Sequence, residues 1–201
     1  MIVIALTGGI GSGKTEVTKY LESKGYIVID TDLIAHQITS VGGKAIPYIR
    51  EVFGDEYILP DGSMDRVKVR NLVYNDRKKK LLLEKGTTEI IIDDTKDMIE
   101  TYRKRSVDLV FVAIPLFYEN GGNYEEIYDE VWVVTASIDI KIKRIKERDK
   151  LDTDTIKKIM KNQMPDSEKV KMADKLIDNS GTIDDLHKKI DSLLKDIADY
   201  D

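Results

Sequence analysis

The chain has 201 residues, a net charge of −5, and 34% charged beside 41% hydrophobic residues. That is enough for one packed core with room for an appended module, and the acidic balance argues against a basic nucleic-acid-binding domain. The sequence has no cysteine, which excludes disulfides, thiolate metal sites and a cysteine nucleophile, and its two histidines make a dedicated zinc site a poor expectation.

The chain opens on a short apolar run, Ile2 to Leu6, rich in β-branched residues and halted by Thr7-Gly8-Gly9. Such a run predicts a strand buried on both faces, as in a parallel sheet. It is only about a third of a membrane-spanning helix, and it has no basic leader before it. The expectation is a soluble, cytoplasmic protein with neither membrane nor nucleic acid as a partner.

Gly8-Gly9-Ile10-Gly11-Ser12-Gly13-Lys14-Thr15 then completes the pattern G-x-x-x-x-G-K-[ST] between a strand and a helix. The glycines let successive backbone N–H groups turn inward around an anion, and the following helix adds its positive end. Lys14 can reach the β- and γ-phosphates, and the Thr15 hydroxyl can ligate Mg²⁺. With Glu16 behind it, this segment predicts a nucleoside triphosphate site. No Asn-Lys-x-Asp segment is present for guanine, and Asp178-Asn179-Ser180-Gly181 reads as a turn rather than a GTPase switch.

Residues 14–24 continue with helical spacing, Val17 and Leu21 lying on one face, and residues 26–29 form a second strand. Asp30-Thr31-Asp32 follows at once. Ligands of a parallel sheet bind outside the carboxyl ends of its strands. One of these carboxylates can take the proton of an incoming hydroxyl, and Asp30 can help hold Mg²⁺. The alternative is plain helix capping. The next strand begins only after residue 106, far beyond the dozen or so residues a crossover needs. Leu72, Val73, Leu81, Leu82 and Leu83 predict a mostly helical insertion, punctuated by Gly42-Gly43, Pro47, Gly54, Pro60-Asp61-Gly62 and Gly86.

Residues 107–114 are a third strand, and Glu119 is another carboxylate past a strand end. Residues 131–135 are a fourth strand and 175–177 a fifth. Between these two, residues 138–149 form a helix with Ile138, Ile142 and Ile145 on one face and Lys141, Arg144 and Arg148 as a basic stripe beside it. Residues 141–171 are dense in Lys and Asp with few large apolar anchors, which suits a mobile lid. The alternative is an ordinary exposed amphipathic helix. Ile183, Leu186, Ile190, Leu193, Leu194 and Ile197 make the apolar stripe of a last helix, with Thr182 and Asp185 as its start signal.

Together these segments resemble the dephospho-coenzyme A kinase family over almost the whole chain. The resemblance rests on residues 6–15, Ile29-Asp30-Thr31-Asp32 with Ala35-His36-Gln37, and Gly62 to Asp65-Arg66. It continues through Pro115-Leu116 with Glu119, Arg144 with Arg148-Asp149, Gln163-Met164, Lys169, Ala173-Asp174 and Ile177-Asp178-Asn179. It implies a P-loop kinase-like three-layer α/β fold with a five-stranded parallel sheet, a helical acceptor-binding insertion and a lid. The implied reaction is ATP-dependent phosphorylation of the ribose 3′-hydroxyl of dephospho-coenzyme A, with Mg²⁺, by a monomer or weak oligomer. Asp32 would be the base. Lys14, Arg144 and Arg148 would stabilise the transferring group, and Asn179 would lie by adenine. Asp65, Arg66, Leu116 and Glu119, with Asp32, would meet the acceptor.

Two departures stand out. Thr88-Glu89 occupies the place of a family His-Pro, and Lys141 that of a family Gln. The first keeps a deoxynucleoside monophosphate kinase of similar architecture as an alternative, with a non-enzymatic nucleotide-binding module behind it, and the second adds a cation to the lid. The expected division is a core of 1–32, 106–140 and 172–201, an insertion of 33–105 and a lid of 141–171.

Overall fold

The computed structural model describes residues 1–119, 121 and 127–198. Parts of the expected core segments, at 120, 122–126 and 199–201, lie outside the described residues. The chain divides into two compact units, residues 1–29 with 103–201, and residues 30–102.

The first unit is built on a five-stranded sheet in the order β2-β3-β1-β4-β5. Its strands are β1 (Ile2–Gly8), β2 (Ile27–Asp30), β3 (Leu109–Ala113), β4 (Glu130–Thr135) and β5 (Lys175–Asp178). β1 runs parallel to both β3 and β4, and β4 runs parallel to β5. β1 is therefore the central strand. The chain order reverses on its two sides, which makes its carboxyl end the switch point where such sheets bind ligands. Val3 to Leu6 are essentially inaccessible, as a strand covered on both faces requires.

α1 (Lys14–Ser23) and α9 (Ile183–Ala198) pack together against this sheet. Val17 and Leu21 meet Leu186, Ile190, Leu193 and Leu194, with Ile4, Leu6, Phe111 and Trp132 beneath. Phe111 and Trp132 stand edge to face with centroids 5.4 Å apart. The start signal of α9 takes the predicted form. The Thr182 hydroxyl accepts from the Asp185 N–H at 3.2 Å, and the Asp185 carboxylate accepts from the Thr182 N–H at 3.0 Å. Among the described residues no helix is long and apolar enough to cross a membrane.

The second unit is helical, as its composition predicts: α2 (Thr31–Ile38), α3 (Ile46–Phe53), α4 (Arg66–Asn75) and most of α5 (Arg77–Lys104). Ile34, Ile38, Ile49, Phe53 and Val69 are among its buried residues. Gly86 departs from the expectation. It was expected to break the chain, yet α5 runs through it without interruption. The reason is tertiary. A Cβ on Gly86 would run into the ring of Tyr48, whose hydroxyl donates to the Leu82 carbonyl at 2.8 Å. An interior helix glycine costs roughly 1 kcal/mol against alanine, and here the ring contact requires it. Gly86→Ala is accordingly expected to destabilise the protein by about 1–3 kcal/mol through overpacking. A rise in the urea midpoint of Gly86→Ala would contradict this account of the ring contact.

Candidate nucleotide site and the segments around it

β1 ends at Gly8 and the loop turns at Gly9 to Ser12, where the Ser12 N–H donates to the Gly9 carbonyl at 3.1 Å. Gly11 and Gly13 have φ of +76° and +92°, conformations that only glycine adopts without strain. Space demands them as well. A Cβ on Gly11 would lie 3.0 Å from the Ile145 side chain, and one on Gly13 would collide with the Asn179 amide. Gly13 is the N-cap of α1 and brings no side chain to it. The positive end of the helix therefore remains directed at the loop. Lys14 and Thr15 open that helix, and Glu16 in its first turn pairs with Lys19. The Ser12 hydroxyl is buried, with no hydrogen-bond partner among the described residues.

Two predicted residues brace this loop from outside. Arg144, on α6 (Ile138–Asp149), donates to the carbonyls of Ser12 at 3.2 Å and Asn179 at 3.0 Å. Asn179 is itself buried and donates its amide to the Ser12 carbonyl at 2.8 Å. Its amide is thus committed to the loop. Arg148 is placed differently. It is more exposed, and its guanidinium makes two 2.7 Å bonds to neighbouring Asp149. That carboxylate raises the Arg148 pKa.

The three cations of the basic stripe on α6 therefore occupy three environments. Lys141 is 3% exposed and ion-paired with Asp166. Across residues 141–171 the large apolar anchors are few, as expected, and polar contacts add to them. Ile145 and Ile156 are fully buried, and the Ile10 N–H of the phosphate loop donates to the Gln163 side-chain oxygen at 2.9 Å. The segment is held by polar and ionic contacts that a count of large apolar residues overlooks.

Its far end docks on the residues after β3. Leu116 has φ of +53°, a strained conformation for leucine, and it precedes the buried Phe117. The Tyr118 hydroxyl donates to the Met172 carbonyl at 3.0 Å, and burial pushes its pKa up to about 12. Glu119 accepts from the Met164 N–H at 2.9 Å and pairs with the wholly buried Lys169 at 2.7 Å. Burial works to raise the Glu119 pKa, but Lys169 and the backbone donors outweigh it and hold the carboxyl below its ordinary value.

Glu119→Gln leaves the Lys169 cation buried without its carboxylate, and it is expected to cost roughly 3–5 kcal/mol at neutral pH. A depressed folded pKa contributes stability that is present above the ordinary carboxylate value and is lost as pH falls through the folded one. The wild-type advantage in urea denaturation should therefore shrink as the pH is lowered through and below the carboxylate range. A gap that stays constant over that range would contradict the pairing.

In the second unit, Asp30 is the N-cap of α2, its carboxylate accepting from the Asp32 N–H at 2.8 Å. The capping alternative thus describes Asp30. Asp32 follows in the exposed first turn. Asp65 caps α4 through the Lys68 N–H at 2.9 Å, and Arg66 donates to the His36 carbonyl at 2.8 Å and to Thr39. Arg66, Asp65, His36 and Ser40 line a cavity of about 420 Å³.

Lys141, Gln163, Asp166 and Lys169 hold residues 141–171 to the phosphate loop and to the turn after β3. The sequence placed Lys141 in a basic stripe and Gln163 and Lys169 only in the family resemblance, while Asp166 lies in a Lys–Asp-rich run that reads as solvated.

The sequence pattern of the family described as Dephospho-CoA kinase matches residues 2–185. A Dephospho-CoA kinase of Carboxydothermus hydrogenoformans is 34% identical over 193 residues, spanning 96% of this chain and 93% of that one. One from Aromatoleum aromaticum is 38% identical over 191 residues, spanning 95% and 91%. The solved Dephospho-CoA kinase of Campylobacter jejuni superposes with a TM-score of 0.74 at 28% identity, covering 97% of this chain and 96% of the other.

Proposed function

The chain belongs to the dephospho-coenzyme A kinase family, and from that premise we propose how its residues divide the transfer of the ATP γ-phosphate to the ribose 3′-hydroxyl of dephospho-coenzyme A. The reaction gives ADP and coenzyme A. The loop from Gly8 to Thr15 cradles the phosphates with backbone N–H groups, and Lys14 sets a cation on the β- and γ-oxygens. Asp32 takes the proton of the 3′-hydroxyl as its oxygen bonds to phosphorus and the bond to the β-phosphate oxygen breaks. Arg144 and Arg148 meet the charge that spreads over the transferring group. Residues 141–171 act as the lid that keeps water from it.

Asp65, Arg66, Leu116 and Glu119 belong to acceptor recognition in this reading. Arg66 and Asp65 do so at the wall of the 420 Å³ cavity. Leu116 and Glu119 act through the turn after β3, whose strain and ion pair fix its shape. The turn at Asn179 lies by adenine.

Magnesium takes hard oxygen ligands, usually phosphate oxygens, waters and one or two protein groups. Among the described residues no group of three or more His, Cys, Asp or Glu forms a cage for a metal. The Thr15 hydroxyl and the Asp30 carboxylate are donors that suit an ion carried on the nucleotide. When bound, Mg²⁺ would neutralise charge on the phosphates.

The observation that carries this reading is the complete phosphate loop at the switch point of the sheet, in a chain matched by one kinase family from residue 2 to 185. That match runs through the insertion whose Thr88-Glu89 kept the deoxynucleoside monophosphate kinase alternative in view, and it disfavours that alternative. The test is ATP consumption against a panel of dephospho-coenzyme A and each nucleoside monophosphate. Turnover with dephospho-coenzyme A alone is expected. Turnover with a monophosphate in its place, or with no acceptor, would overturn the assignment.

A further inference from the structure

We propose that Lys141 is a further catalytic residue, a cation that contacts the nucleotide's phosphates and that Asp166 holds beside the phosphate loop until they arrive. The proposal rests on the reading of that loop as an ATP site.

The geometry begins at Gly9. A Cβ there would lie 3.0 Å from an Asp166 carboxylate oxygen, 3.2 Å from the Lys141 ammonium nitrogen and 3.4 Å from the Gln163 amide oxygen. Three polar side chains from residues 141–171 thus converge on one buried glycine of the loop. Lys141 lies one helical turn before Arg144, which already bonds the Ser12 carbonyl. The Lys141 side chain is 4% exposed, whereas that of Asp166 is 30% exposed. The cation is therefore fixed in the wall of the site, and its carboxylate partner faces water.

A buried ammonium needs an anionic partner, because an unpaired one is strongly penalised. Asp166 supplies that anion in the free protein. Gln163 plays the parallel part for the backbone, its oxygen accepting the Ile10 N–H that a phosphate oxygen would otherwise receive. A triphosphate brings several anionic oxygens to the same donors, and its higher charge favours exchange of carboxylate for phosphate at Lys141. Asp166 has water on its outer side and is free to leave. Lys141 then stabilises charge on the phosphates together with Lys14 and Arg144, and the released carboxylate reports that the site is filled.

The test compares the full-length wild type with Lys141→Gln and Asp166→Asn. It measures kcat and KM for ATP at saturating dephospho-coenzyme A, ATP affinity by calorimetry, and Tm. Lys141→Gln should lower kcat/KM for ATP by about 10- to 100-fold, as loss of a charge-assisted contact does. Asp166→Asn removes the competing anion and should bind ATP as tightly as wild type or more so. If Lys141→Gln fails to fold, the Asp166→Asn affinity alone still decides. Lys141→Gln within twofold of wild type in kcat/KM, whatever its Tm, would overturn the proposal. So would an Asp166→Asn protein that binds ATP about tenfold more weakly, because the pair would then be a structural clamp. Wild-type turnover with ATP is the internal control. Its absence would fault the nucleotide site itself, whereas an active Lys141→Gln faults only this inference.

Discussion

Lys14→Ala is expected to reduce phosphoryl transfer by about 10²–10³-fold, the usual consequence of removing one preorganised charge donor from a transition state. Lys14 is the first residue of α1, directly after a glycine N-cap, and its side chain is not among those packed in the hydrophobic core. The helix is anchored in the core by Val17 and Leu21, one and two turns further on. The variant should therefore fold, with its thermal midpoint near that of wild type. Its loss should appear largely in kcat, since backbone N–H groups still cradle the phosphates. Near-normal turnover by a folded Lys14→Ala protein would remove the loop from the catalytic account.

Asp32→Asn should lower kcat by about 10²–10⁴-fold with little change in ATP affinity, because the amide keeps the carboxylate's shape and cannot take a proton. The structure sharpens this test. The cap of α2 is the Asp30 side chain, and Asp32 offers that cap only its backbone N–H. A carboxylate in an exposed first turn is worth about 0.3–1 kcal/mol through the helix dipole. Asp32→Asn with full activity and a small fall in stability would mean that its role ends there. Asp30→Asn is the control. It weakens the cap, and it is expected to lower stability while reducing activity less than Asp32→Asn does.

The parts of the fold set by local chemistry were legible in the sequence. Ile2 to Leu6 reads as a doubly covered strand and is one, the loop from Gly8 to Thr15 carries its own explanation, and the Thr182–Asp185 box forms as read. What escaped depends on partners distant in sequence. Lysine is among the residues least often fully buried, so nothing in the sequence near Lys141 announces Asp166, 25 residues on. Nor does anything near Lys169 announce Glu119. Gly86 reads as a break because glycine is a poor helix former, and the Tyr48 ring that explains it sits on another helix. The separate environments along the basic stripe on α6 escaped for the same reason. Periodicity places three cations along one face and does not say that one is enclosed, one braces a loop and one is exposed.

The reaction itself is tested most directly by identifying where the phosphate goes. Purified protein, ATP, Mg²⁺ and dephospho-coenzyme A would be followed by phosphorus NMR. The account predicts one new phosphomonoester, on the ribose 3′-oxygen, appearing in step with ADP. ADP accompanied by inorganic phosphate, or a phosphate carried on any other hydroxyl, would contradict it.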